Sequence, residues 1–423
     1  MTDDTADHTS EKSADSVTPE ALYDRLRRGE RVGLLDVRNR EEAEAWRITG
    51  GDVERAQTPY SEFAAATARG EVADLAADLD LPEPVVAVCP RGEVSATVAE
   101  RLRAEGVDAR NLSDGMHGWA RLYVARDLPA DALPEGVAVV QYDRPASGCL
   151  SYLVVAGDEA AVIDPLRAFA DRYAADAADR GATLRYAVDT HVHADHLSGV
   201  QALAGTDRAG VDAGSGIEAV LPAGADERGL AFDARLVGDG DELVVGDAAL
   251  TAVHAPGHTT ELTAFRLGDV LLSGDALFTD SFGRPDLERE AHGDSDGTSG
   301  EQVDPRDADG ARDLAETLYD TLTDRLLALP DGVLVAPGHR RPDESPNPGE
   351  NDAYAARVGA VRERLRLGDD RGAFAARVLD SLPPRPANYG DIVPANLGRE
   401  SVDDETAFEM ELGPNNCAVA AED

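Results

Sequence analysis

The sequence predicts an α/β protein of two successive domains followed by a third segment, on three observations. At 423 residues the chain exceeds one ordinary core, so two or three domains are expected. Over residues 16–130, short apolar runs alternate with segments of helical period, the pattern of a parallel sheet with crossover helices. Over residues 136–345, successive apolar runs end at a histidine or aspartate beside a small residue, an order that lets separate loops converge on one sheet edge.

Charge and cysteine content narrow the function classes. Net charge is −42, and Lys12 is the only lysine among 40 basic residues. Phosphate binding needs the opposite sign, which excludes nucleic acid as a partner. Such acidity reads as halophilic adaptation, with counterions screening the self-repulsion. Three cysteines are too few for a disulfide framework and place the chain in a reducing, cytoplasmic setting. Residues 1–15 read as a disordered acidic tail, because MTDDTADHTSEKSADS has neither the basic start nor the apolar run of a signal peptide. No apolar stretch approaches the ~20 residues a membrane helix requires, so no membrane partner is expected. Self-association stays open.

In the first domain, TPEALYDRLRRGE offers Thr18 as a helix cap and Pro19 at the first helical position, and RVGLLDVR follows as a buried strand. The strand PVVAVC runs into CPRGEVSATVAERLRAEG, a helix with Val94, Val98 and Leu102 on one face and Gly106 at its stop. Cys89 therefore sits at the carboxyl end of a parallel strand, the usual site position in this architecture. Loop amides and Arg91 favour negative charge on its sulfur, which makes Cys89 either a nucleophile that picks up and releases sulfur or a buried inert thiol. The segments LLDVRNREEAEAW, CPRGEVS and NLSDGMHGWARL together resemble a rhodanese domain. That resemblance implies that Cys89 carries sulfane sulfur as a persulfide, with Arg91 beside the substrate.

After the linker-like LPADALPEG, SYLVVAGDEAAVIDP reads as a hairpin around Gly157 and Asp158, and a helix follows with Phe169, Tyr173 and Ala177 in register and Gly181 at its end. The strand-to-helix stretch THVHADHLSGV then brings His191, His193, Asp195 and His196 close together, enough for one metal or two. Downstream apolar runs deliver His258 in HAPGH, Asp275 in SGDALF and His339 in APGH, while His254 reads as structural.

This combination resembles the metallo-β-lactamase fold superfamily, which implies an αββα sandwich with metal at one edge. Two activities share its ligand set. A glyoxalase II type thioester hydrolase would use all seven residues to hold two zinc ions that activate water. A persulfide dioxygenase would hold one Fe(II) per chain through His191, His258 and Asp275, with His193, Asp195, His196 and His339 orienting the ligands. Cys89 and Asp195 are the candidate catalytic residues.

SGDALFTDSFGRPDL resembles the dioxygenase segment and would place Arg284 against a thiol's carboxylate. The expected reaction converts a low-molecular-weight thiol persulfide and O2 to thiol and sulfite, next to a fused sulfur carrier. The alternatives are the dinuclear hydrolase and a noncatalytic sulfur-trafficking module.

Residues 288–310 are too polar and Gly-rich to pack a core and read as a disordered insertion or a lid. Residues 346–423 read as a wrapping extension. In it NDAYAARVGAVRERLRLG is an amphipathic helix, LPPRPANYGDIVPANLG is extended chain, and TAFEMEL is a strand. Cys417 in GPNNCAVA reads as an incidental thiol rather than a second sulfur carrier.

Overall fold

The computed structural model describes residues 15–50, 52–205, 216–288, 305–341, 353–365, 367–368, 370–413, 417 and 419. The expected acidic tail and most of the expected insertion lie outside these residues. The chain divides after Tyr123 into two units, with Arg144–Ser147 belonging to the first.

In the first unit, β1 (Ser16–Val17), β2 (Arg31–Asp36), β3 (Asp52–Gln57), β4 (Val85–Val88) and β5 (Ala109–Leu112) form one sheet in the order β1-β5-β4-β2-β3. Every pairing is parallel. The helix Pro19–Arg27 opens as expected, with Thr18 Oγ1 accepting from Ala21 N at 3.2 Å. All four residues of β4 are buried, so the strand runs through the core and releases the chain at Cys89. The helix Glu93–Ala104 packs Val98, Ala99 and Leu102 onto it, and Gly106 adopts the positive φ that follows many helix ends.

In the second unit, seven strands make one sheet: β6 (Val124–Asp127), β7 (Val137–Asp143), β8 (Leu150–Ala156), β9 (Glu159–Ile163), β10 (Thr183–Val188), β11 (Glu218–Pro222) and β12 (Arg235–Val237), neighbours in chain order. Six make a second sheet, also in chain order: β13 (Glu242–Val245), β14 (Ala248–His254), β15 (Thr263–Leu267), β16 (Val270–Gly274), β17 (Leu334–Pro337) and β18 (Ala356–Arg357). Val154, Ile163 and Val188 of the first sheet share one core with Leu250, Phe265 and Leu272 of the second, so the sheets pack face to face. On the other face of the second sheet, Leu271 and Val335 pack against Leu318, Leu322 and Phe374 of helical segments. The helix Ala170–Asp179 buries Tyr173 and Ala177 and contacts β8 and β10. This is the expected αββα sandwich. β9 and β10 run parallel, as do β16 and β17, so each pair delivers its following loops to one edge.

Three expectations are corrected. Residues 305–310, assigned to the insertion, open the helix Pro305–Asp320, which buries Ala315 and Leu318. TAFEMEL is helical rather than a strand, in Asp404–Met410, because Asp403 caps it by accepting from Glu405 N and Thr406 N. YGDIVPAN is also a helix, Tyr389–Asn396. It buries the neighbours Ile392 and Val393 and again Ala395 and Asn396, which a strand with one buried face cannot do.

Candidate metal centre

Loop 189–199, between β10 and the helix Val200–Ala204, is held by side chains from distant parts of the chain. Asp164, the residue after β9, accepts from Thr190 N at 2.7 Å and Thr190 Oγ1 at 3.0 Å. Val192 N donates to Glu261 Oε1 at 2.9 Å, and Leu197 N donates to Glu411 Oε1 at 2.8 Å. Asn396 accepts from Ser198 N and donates to the carbonyls of His193 and His196, all within 2.9 Å. Buried loop amides without such partners would each cost free energy, so these residues fix the loop as firmly as its own sequence does. None of the four belongs to the sequence motif of histidines and aspartates. Asp164 carried a readable signal, since it ends an apolar run just as Asp275 does, whereas Glu261, Asn396 and Glu411 carried none.

The loop directs His191 inward. Thr190 Oγ1 gives its single proton to Asp164, so at 3.0 Å from His191 Nδ1 it accepts from that nitrogen. The lone pair of His191 therefore lies on Nε2. His258, four residues beyond the end of β14, donates from Nδ1 to the Arg284 carbonyl at 2.6 Å, which also leaves its lone pair on Nε2. Both Nε2 atoms face Asp275 Oδ2, at 4.0 Å for His191 and 3.8 Å for His258. His191, His258 and Asp275 are each at most 1% exposed. His191 Nε2 and Asp275 Oδ2 have no hydrogen-bond partner. Burial pushes both histidines below the usual imidazole range, aided for His191 by the neighbouring His193 and His258, so both present the neutral form a metal requires. Two imidazole lone pairs and an orphaned buried carboxylate oxygen fit one divalent cation.

The other four histidine and aspartate positions gather nearby: Asp195, His196 and His339 are hydrogen-bonded to one another or to Asp275, and His193 lies against two carboxylates. His193 Nε2 lies 3.2 Å from Asp164 and 3.5 Å from Asp189. Burial opposes its charged form, but these carboxylates outweigh burial and raise His193 to about 9. His339 spans two carboxylates, with Nδ1 2.7 Å from Asp275 Oδ1 and Nε2 2.9 Å from Asp195 Oδ2. Against the same burial penalty, Asp275 and Asp195 raise its pKa well above the ordinary value, as Asp195 does for His196. His196 Nδ1 and Cys149 Sγ lie 3.2 and 3.4 Å from Asp195 Oδ2. Cys149, Asp195, His196 and His339 together offer four ligand-type atoms within 4.8 Å of one another.

Arg284 is placed differently from the expectation. Its guanidinium is 1% exposed and closes on the chain itself: Nε and Nη2 donate to Asp286 at 2.7 and 3.0 Å, and Nη1 donates to the Pro384 carbonyl at 2.9 Å. The fork expected for a substrate carboxylate thus anchors the loop whose carbonyl orients His258.

In the first unit, Cys89 Sγ is cradled by Gly92 N at 3.1 Å, Ser95 N at 3.4 Å and Ser95 Oγ at 3.1 Å. Ser95 Oγ also meets Asn111 Oδ1 at 2.7 Å, an orienting contact the sequence did not reveal. Arg91 is exposed and lines an open cleft with Ser113 and Asp114.

Comparisons with known proteins agree with this architecture. The family described as "Metallo-beta-lactamase superfamily" matches residues 144–339, and the family described as "Rhodanese-like domain" matches residues 18–122. The chain is 30% identical over 276 residues to "Persulfide dioxygenase ETHE1, mitochondrial" of Bos taurus, covering 62% of this chain and 88% of that protein. It is also 30% identical over 259 residues to a "Hydroxyacylglutathione hydrolase" of Rhodospirillum rubrum, covering 59% and 82%. A crystal structure of a metallo-beta-lactamase from Staphylococcus aureus superposes with a TM-score of 0.51 at 23% identity, over 64% of this chain and 76% of that one, a likeness of fold.

Proposed function

Because the chain belongs to the metallo-β-lactamase superfamily and carries a rhodanese-like domain, we propose that it is a persulfide dioxygenase with one Fe(II) per chain and a fused sulfur carrier. The observation that carries this reading is the convergence of His191 Nε2, His258 Nε2 and Asp275 Oδ2 on one buried point. Two neutral imidazoles and one carboxylate are the donor set of non-haem iron oxygenases, and iron bound there supplies open positions for dioxygen and a sulfur substrate.

The chain's own residues do the rest. Thr190 and the Arg284 carbonyl fix which nitrogen of each histidine faces inward. His339 donates to Asp275 Oδ1 and holds that carboxylate with Oδ2 turned toward the histidines. Asp195 anchors His339 from the other side, so its role is positioning. Buried Phe278, with its ring 6.2 Å from that of His339, helps to keep water out. In the first unit, Gly92 N and Ser95 N point at the sulfur of Cys89, the atom that would accept and pass on sulfane sulfur. The expected product is sulfite. Among the described residues no helix is long and apolar enough to cross a membrane, and all three cysteines are unbridged, which suits a reducing, cytoplasmic setting.

The second reading is a dinuclear thioester hydrolase. Cys149, Asp195, His196 and His339 favour it, because they would serve a second ion and His196 Nε2 has no hydrogen-bond partner. Metal analysis of protein purified without added metal separates the two. One iron per chain, lost in His191→Ala, His258→Ala and Asp275→Ala but retained in His196→Ala, supports the dioxygenase, and two tightly held zinc ions per chain contradict it.

A further inference from the structure

Cys417 lies beside Asp275 and His339. Its side chain is 2% exposed, and its sulfur falls within 4.8 Å of ligand-type atoms of both Asp275 and His339. Two backbone bonds set it there: Arg284 N donates to the Cys417 carbonyl at 3.0 Å, and Val419 N donates to the Phe282 carbonyl at 3.0 Å. This tail segment thus pairs with the same stretch, 282–284, whose Arg284 carbonyl orients His258. In the group that shares Asp275 with it, Asp275 Oδ2 and His191 Nε2 are buried without hydrogen-bond partners and aim at the position assigned to the metal.

The surroundings are poorly matched to a diffusible anionic thiol. The Arg284 guanidinium is taken up by Asp286 and Pro384, Arg340 bonds Asp143 at 2.9 Å, and Arg341 pairs with Asp280 at 2.8 Å. The net charge of −42 further repels carboxylate-bearing cosubstrates. A thiol carried on the chain needs no such cation, since the peptide itself positions it and the entropy of capturing a free ligand is avoided.

Resting on the dioxygenase reading, we propose that Cys417 is a sulfur-loading site, and that the substrate presented to the metal is a protein persulfide on Cys417. Loading is a thiol exchange without net oxidation. The Cys417 thiol attacks the outer sulfur of a sulfane donor R–S–S⁻, a new S–S bond forms at Cys417, the donor's S–S bond breaks, and the R–S⁻ that leaves takes up the proton the thiol gives up. Oxidation then consumes the outer sulfur: Cys417–S–S⁻ + O2 + H2O gives Cys417–S⁻ + SO3²⁻ + 2H⁺, four electrons passing from sulfur to dioxygen. The outer sulfur of a persulfide stands about 2.05 Å beyond the cysteine sulfur.

The test loads iron-replete, full-length protein with inorganic polysulfide under argon, removes small molecules, and admits air. Peptide mass spectrometry should show one added sulfur on the Cys417 peptide before air and its loss afterwards, with sulfite released in an equal amount and no free thiol present. Cys417→Ser should keep its iron, yet release less than about a tenth of the wild-type sulfite from preloaded protein. If soluble persulfide is oxidised but the Cys417 peptide never gains sulfur, or if Cys417→Ser releases undiminished sulfite, the carrier role is overturned and the dioxygenase stands. If neither soluble nor loaded persulfide consumes oxygen, both are overturned.

Discussion

Gly283→Ala probes how the metal centre is held without replacing any proposed ligand. A Cβ at this position would stand 2.0 Å from the Asp275 carbonyl oxygen and 2.9 Å from His258 Nδ1, where ordinary contact begins at 3.4 Å. The first shortfall is about 1.4 Å against backbone, so the 282–284 segment must move. The bond from His258 Nδ1 to the Arg284 carbonyl is 2.6 Å, and a shift of that size directed along it carries the pair beyond hydrogen-bond reach. Losing the partner that orients a metal-binding histidine lowers metal affinity ~10–100-fold, and overpacking costs roughly 1–3 kcal/mol. Chelator competition reads the first effect, and thermal melting of metal-free protein reads the second. Gly332→Ala is the control, because a Cβ there meets nothing within 4 Å. A folded Gly283→Ala protein that competes for iron as wild type does would refute the claim that the Arg284 carbonyl sets His258.

The remaining predictions concern the loop anchor, the sulfur carrier and salt. Arg284→Ala should lower stability by about 3 kcal/mol, at the low end for a broken buried pair because Arg385 still reaches Asp286; urea unfolding measures it. Burial alone would raise the Asp286 pKa, but Arg284 outweighs it and holds the carboxyl below its ordinary 3.8. The pair's stabilisation is therefore present above about pH 4 and lost as pH falls through the depressed value, and acid titration of Arg284→Ala should lack that component. Cys89→Ser should abolish the one-sulfur mass gain on the Cys89 peptide while soluble persulfide is still oxidised, and unchanged mass labelling of the rest of the chain confirms the site. At a net charge of −42, melting temperature should rise from dilute buffer to molar potassium chloride, and equal values would remove the halophilic argument.

The sandwich was legible because many of its strands are apolar runs, and candidate ligand residues follow several of them, as Asp275 does after VLLSG. The parallel first domain was legible for the same reason in VVAV before Cys89. The division of labour among the seven metal-type residues was not, because it depends on hydrogen bonds between residues far apart in sequence. His191 and His193 sit in one loop, yet Thr190 turns the first toward the metal while Asp164 and Asp189 engage the second. The role of the region after residue 346 was hidden likewise. Asn396 and Glu411 stabilise the histidine loop from about 200 residues away, and local pattern reads them as ordinary polar positions. Arg284 misled because its motif says where the residue is, whereas Asp286, two residues on, decides what its guanidinium holds.

Oxygen consumption by iron-loaded protein supplied with a thiol persulfide, followed on an electrode with sulfite assayed in the same sample, separates the dioxygenase from the hydrolase. A dioxygenase forms one sulfite per dioxygen consumed, shows no turnover under nitrogen, and loses both signals in His258→Ala. A flat oxygen trace with every persulfide offered, together with thioester cleavage that runs equally well under nitrogen, would contradict it.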